Sequence, residues 1–212
     1  MATSAATWPS AVPFLPPRLS LKALREAARE CQGCPLYARA TQTVFGQGRR
    51  DARIMLVGEQ PGNAEDQQGA PFVGPAGRVL NEALAEAGIA RDDAYVTNAV
   101  KHFKWILANR RRMHKKPNAR EVAACLPWLE QEIEVVTPEI LVCLGATAAQ
   151  ALLGPKIRVT RDRGVLMPSR LAPRTMATVH PSSILRQQTS EDRRREMALF
   201  IEDLRVVARA LA

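Results

Sequence analysis

Four short apolar runs punctuate the chain: residues 54–57 (IMLV), 94–98 (AYVTN), 140–144 (ILVCL) and 175–179 (TMATV). They lack the strict polar/apolar alternation of a sheet with one wet face, so each reads as a strand buried on both sides. Between them the apolar spacing changes to the helical period. Val79, Leu80, Ala83, Leu84 and Ala87 share one face, as do Val122, Leu126, Leu129, Ile133 and Val136 within a helix predicted over 118–136. Gly145 opens a further helix, Ala146 to Leu153, and Gly154 closes it as a C-cap would. A last helix, from about Glu191 to Leu211, turns Met197, Ile201, Leu204 and Leu211 inward, and residues 21–30 form a short helix turn. Strands alternating with helices define an α/β class: a central four-stranded parallel sheet with helices on both faces. No internal repeat is present.

In such a sheet ligands bind in the crevice beyond the carboxyl ends of the strands. The first strand runs into Gly58-Glu59-Gln60-Pro61-Gly62, the second ends at Asn98, and the fourth is followed by His180-Pro181-Ser182-Ser183. One rim thus receives an acid, an amide and an imidazole. Each alone has a dull explanation as a turn residue or a cap, but the three together point to a pocket. Phe72 lies in a glycine- and proline-rich loop, 69–77; a lone aromatic there is more often a plug over the core than a platform for a planar ligand. Residues 109–117, NRRRMHKKP, show no apolar period and end at a proline, which predicts an exposed basic loop. Arg110, Arg111, Arg112, Lys115 and Lys116 surround His114, a composition suited to gripping phosphates and equally to a plain solvated charge run.

Composition adds limits. The 212 residues, 46% hydrophobic and 24% charged, suit a soluble globular chain with one large domain or two small ones. No apolar run approaches the ~20 residues of a membrane span. The first twenty residues are rich in proline, serine and alanine without the pattern of a signal peptide. They are expected to form a flexible arm, although Trp8, Phe14 and Leu15 could dock on the body. The net charge of +9 favours a polyanionic partner, nucleic acid above all. Four cysteines without an export signal do not suggest disulfides. Cys31-Gln32-Gly33-Cys34 can grip one metal or cluster, with redox use or packing as the alternatives; Cys143 inside a strand is most simply a small core residue.

The segments GEQPGNAEDQQGAPFVGPAGRVL, YVTNAVKHFK, RRRMHK, ACLPWL, LGATAAQALLG and TVHPSS together resemble the iron–sulfur uracil-DNA glycosylases, similar to family 4, and within them the UdgX group. The basic segment ending in histidine is the most discriminating of these, reading Arg110-Arg111-Arg112-Met113-His114 where that group has KRRIH. The resemblance implies a three-layer uracil-DNA-glycosylase-like domain over residues 21–212, preceded by the arm at 1–20. It implies catalytic roles for Glu59, His114 and His180. Uracil or DNA contacts would come from Gln60, Asp66, Phe72, Asn98, Arg110, Arg111, Arg112, Lys115 and Ser182. Phe72 would then stack on the uracil ring, and Asn98 would match its O4/N3–H edge. A 4Fe-4S cluster would be held by Cys31, Cys34, His102 and Cys125, with His102 standing where family-4 members carry a cysteine. Asn63 stands where relatives often carry an acid, which leaves Asp66 as the spare carboxylate.

Function follows as an expectation. The chain would excise uracil from DNA, accepting single strands, and become covalently linked to the deoxyribose C1′ through His114 after releasing free uracil. The alternatives are a conventional turnover glycosylase and a non-catalytic iron–sulfur or nucleic-acid-binding module. A cytoplasmic monomer with no membrane association is expected.

Overall fold

The structure, a computed structural model, describes residues 9–212. Among the described residues the six strands, in chain order, are β1 (Ile54–Gly58), β2 (Ala94–Asn98), β3 (Trp105–Ala108), β4 (Arg111–His114), β5 (Ile140–Leu144) and β6 (Arg174–Thr178). Four of them form the parallel sheet, in the order β2-β1-β5-β6, while β3 and β4 pair as a separate antiparallel hairpin. Registers of Gly58 with Asn98 and of Leu144 with Thr178 align the carboxyl ends at one rim. The chain leaves β1 toward β2 on one side and returns to β5 on the other, so the topological switch point lies between β1 and β5.

Eight helices complete the fold among the described residues: α1 (Leu21–Ala28), α2 (Asn63–Gln68), α3 (Pro75–Glu86), α4 (Ala119–Val136), α5 (Ala146–Leu153), α6 (Val159–Asp162), α7 (Pro181–Leu185) and α8 (Ser190–Leu211). Alternate strand residues supply two cores. Ile54 and Leu56 pack with Leu80 and Leu84 of α3 and with Phe200, Leu204 and Val207 of α8. Met55 and Val57 pack with Leu129, Ile133 and Val136 of α4 and with Ala148 and Ala149 of α5. Cys143 sits in this second core, as its strand position suggested. On α8 the fully buried residues are Phe200, Leu204 and Val207, whereas Met197, Ile201 and Leu211 only flank that core. No helix among the described residues is long and apolar enough to cross a membrane.

Two expectations change. The segment 105–114 is a β-hairpin rather than an irregular loop, because paired four-residue strands satisfy their backbone groups on each other across a turn at Asn109 and Arg110, both at positive φ. The arm, expected to be flexible, is tethered at residues 11–15, the docking allowed for Phe14 and Leu15: the Ala11 amide donates to the Ala124 carbonyl at 2.8 Å, and Phe14 and Leu15 pack against an apolar cluster that includes Leu24 and Trp128. Trp8 and the rest of 1–8 lie outside the described residues.

Candidate active site

The rim opens on a cavity of about 870 Å³ lined by Glu59, Gln60, Phe72, Asn98, Met113, His114, Thr147, His180, Ser182 and Arg186, among others. Its floor depends on Gly58. A Cβ placed there would lie 2.3 Å from Asn98 Oδ1, 2.8 Å from Phe72 Cζ and 3.4 Å from His180 Nε2. Three residues singled out from sequence therefore converge where only glycine leaves room. Phe72 is held with φ of 56°, a strained value for an aromatic residue. The loop that holds it is clamped by buried Glu65, which accepts from the amides of Gly62 (3.1 Å) and Gly74 (2.8 Å). The Phe72 and His180 rings lie 6.0 Å apart at 29°. Phe72 belongs both to the buried core and to the cavity wall, so a plug over the core is also part of the cavity lining.

Across the switch point, Glu59 at the end of β1 accepts a hydrogen bond from the Thr147 hydroxyl at the start of α5. Its other oxygen lies 3.2 Å from Nε2 of His114, the last residue of β4. Burial pushes the Glu59 carboxyl up, yet the bonds from His114 and Thr147 outweigh that and hold it below its ordinary value. An ionised carboxylate only accepts, so Nε2 of His114 carries the hydrogen in this contact. Thr147 was missed in the sequence. The available signal was its place just after Gly145, on the strand end that faces β1.

His180 is the N-cap of α7. Its Nδ1 accepts from the Ser182 amide at 3.2 Å and lies 2.8 Å from the Ser182 hydroxyl. Burial lowers its pKa to about 4, with Arg186 and His114 adding to the fall and Glu59 opposing it. The ring is thus neutral at physiological pH, and with Nδ1 accepting, Nε2–H is the free donor, on the side of Gly58 and Asn98.

The hairpin is moored at both ends. Gln60 donates to the carbonyls of Lys104 (3.1 Å) and Lys115 (3.2 Å) and accepts from the Lys104 amide (3.1 Å), so its side chain grips the hairpin's base rather than pointing a polar group into the cavity. Arg112 is ion-paired to Asp66 and donates to Thr41 Oγ1 at 3.1 Å, while its guanidinium covers the rings of Trp105 and Phe103. This corrects two expectations. Asp66 is fully buried and also accepts from the Thr41 amide, so it is no surface carboxylate, and the half-buried Arg112 is engaged with it rather than free for a phosphate. Arg110, Arg111 and Lys115 are exposed, which suits a phosphate contact and a plain solvated charge run alike.

Below the hairpin lie the expected cluster residues. Cys31, Cys34 and Cys125 are buried in one apolar cluster with Trp128. Among the described residues, no three His, Cys, Asp or Glu side chains converge tightly enough to hold a single metal ion. The ligands of an iron–sulfur cube are spread more widely, since each binds a different iron. Two observations suit a cluster. His102 Nδ1 is buried without any hydrogen-bond partner, while its Nε2 is fixed by Thr43 Oγ1 at 2.9 Å. Burial also lowers the His102 pKa to about 4, leaving a neutral imidazole with one nitrogen unused. Sulfur acceptors are met by donors: Trp128 Nε1 reaches Cys31 Sγ and the Lys101 amide reaches Cys125 Sγ, both at 3.2 Å. Burial pushes the Cys125 thiol up to about 12, a state that a bound metal reverses by stabilising thiolate.

Comparison with known proteins gives a consistent picture. Residues 45–205 match the family described as the uracil DNA glycosylase superfamily. A type-4 uracil-DNA glycosylase of Thermotoga maritima is 38% identical over 185 residues, spanning 87% of this chain and 91% of its own length. One from Pyrobaculum aerophilum is 35% identical over 86% of this chain and 93% of its own. A third, from Archaeoglobus fulgidus, is 39% identical over 61% of this chain and 63% of its own.

Proposed function

This chain belongs to the uracil DNA glycosylase superfamily, and we propose that it excises uracil from DNA once per molecule, ending covalently bound to the deoxyribose through His114. The observation that carries the reading is the 3.2 Å contact between His114 Nε2 and Glu59 at the mouth of the base cavity. A uracil flipped from the stack would lie against Phe72, with Asn98 pairing to its O4/N3–H edge; cytosine reverses that pattern and leaves buried groups unpaired.

The C1′–N1 bond breaks with its electron pair passing to the uracil, as negative charge on N1 and O2. His180 Nε2–H donates to O2, where that charge develops. Glu59 faces the cationic sugar and accepts the Nε2 proton of His114. The freed lone pair then bonds to C1′, where water would otherwise add. An imidazole alkylated in this way is a poor leaving group, so the protein remains on the DNA. Arg110, Arg111 and Lys115 would meet the phosphates, and Ser182 fixes the tautomer of His180. Cys31, Cys34, Cys125 and His102 would hold a 4Fe-4S cluster, whose contribution is to staple the amino-terminal segment and the hairpin to the body.

A conventional turnover reading is favoured by one observation: the His114 side chain is 51% exposed, which leaves water a route to Glu59. Incubation with a uracil-containing single-stranded oligonucleotide, followed by a denaturing gel, separates the two. A heat- and detergent-stable shifted band is expected, and it disappears in His114→Ser. Free abasic product from the wild type with no shifted band would establish turnover instead.

A further inference from the structure

Lys101 and Glu132 form an ion pair sealed inside the protein, with side-chain exposures of 1% and 0%. Sealing two charges away from water is costly, and apolar residues of similar volume commonly serve stability as well or better. The pair's position gives it a use. Lys101 Nζ donates to Thr97 Oγ1 and to the backbone carbonyl of Asn98, both at 2.7 Å, besides contacting Glu132. Glu132 in turn accepts from Tyr95 OH (2.8 Å), the Gly46 amide (3.0 Å) and Thr97 Oγ1 (2.9 Å to the nearer oxygen). The amides of Ala99 and Val100 donate to the carbonyls of Gly58 (2.9 Å) and Glu59 (3.0 Å), and the Lys101 amide donates to Cys125 Sγ. One short turn therefore joins the Asn98 amide, the backbone that carries Glu59 and a cysteine of the apolar cluster, and the lysine ammonium ties its two ends together.

We propose that Lys101, braced by Glu132, is a positioning residue for base recognition: it fixes the Asn98 backbone so that the side-chain amide meets uracil in register. This rests on the reading of Asn98 as the residue that pairs with the base. Lys101 touches no substrate atom, so its effect must appear in selectivity and half-saturation more than in the rate at saturation.

The test is the double variant Lys101→Met/Glu132→Gln, which removes the donor without stranding a carboxylate. It is purified with whatever iron it holds and compared with wild type and Asn98→Ala. Three quantities are read: iron content with visible absorption, the DNA concentration for half-maximal uracil release, and the ratio of uracil to cytosine excision. The double variant should keep its iron, because the bond to Cys125 comes from the backbone. It should raise the half-saturating concentration and lower the uracil-to-cytosine ratio by about tenfold or more, the size of one lost charge-assisted hydrogen bond. Unchanged selectivity in the double variant, with Asn98→Ala defective, overturns the role of Lys101 alone. Normal selectivity in Asn98→Ala overturns the reading beneath it. If the double variant does not fold, Thr97→Val, which removes one Lys101 acceptor, is measured the same way: a shift in selectivity supports the proposal, and wild-type selectivity refutes it.

Discussion

Gly58→Ala is the sharpest perturbation of the cavity, because it adds one methyl and no charge. The new Cβ would stand 2.3 Å from Asn98 Oδ1 and 2.8 Å from Phe72 Cζ, both inside van der Waals contact. Asn98 cannot retreat easily: its carbonyl is held by Lys101 and the amide after it by Gly58 itself. Phe72 is equally confined, because a Cβ on Gly77 would overlap its carbonyl, so helix α3 already packs directly on that backbone. Forcing a methyl into such packing costs about 1–3 kcal/mol of stability. Function should suffer more if Asn98 pairs with the base as proposed: two neutral hydrogen bonds lost at about 1–1.5 kcal/mol each predict a fall in uracil excision of roughly 10²-fold. Single-turnover excision with uracil oligonucleotide, alongside thermal melting, reads both quantities. A well-folded Gly58→Ala protein excising uracil within threefold of wild type would refute the assignment of Asn98, Phe72 and His180 to one base pocket.

Other consequences can be measured in the same assays. Thr147→Val removes a hydrogen bond to ionised Glu59, so adduct formation should slow by about tenfold and the acid limb of the pH–rate profile should move to higher pH. Asp66→Asn weakens the mooring of Arg112; faster hydrogen exchange over 105–114 and slower adduct formation are expected, and unchanged exchange would remove the hairpin tether from the account. His180 has its pKa lowered from 6.5 to about 4, so the unfolded chain binds the extra proton first. Its contribution to stability is complete above pH 6.5 and is lost as pH falls toward about 4, and denaturant titrations of His180→Gln should lack that part of the pH dependence. His102→Ala should lower bound iron and the melting temperature together, whereas a purely apolar role for His102 would leave iron content untouched.

Much of this was legible in the chain. Strands buried on both faces are short apolar runs, and their order alone places Glu59, Asn98 and His180 at the same rim, where the registers align them. The hairpin was not legible, because β3 and β4 are only four residues each: β3 is an apolar run too short to declare itself, and β4 carries Arg111, Arg112 and His114 where a longer sheet would carry an apolar face. Its one signal, Asn109 at a turn position that favours positive φ, was hidden among arginines. Asp66 and Arg112 read as surface charges, since sequence cannot say that two distant residues neutralise each other inside. Lys101, in the turn after β2, and Glu132, on α4, were silent for the same reason: a buried charge declares itself only when its partner is seen.

The central claim concerns one nitrogen and one carbon. Wild-type protein incubated with a uracil-containing oligonucleotide, digested with nuclease and protease, should yield a peptide carrying a deoxyribose remnant on His114 by tandem mass spectrometry. The mass should fall on no other residue and be absent with a uracil-free strand. Unmodified His114 peptide alongside complete uracil release would contradict the account.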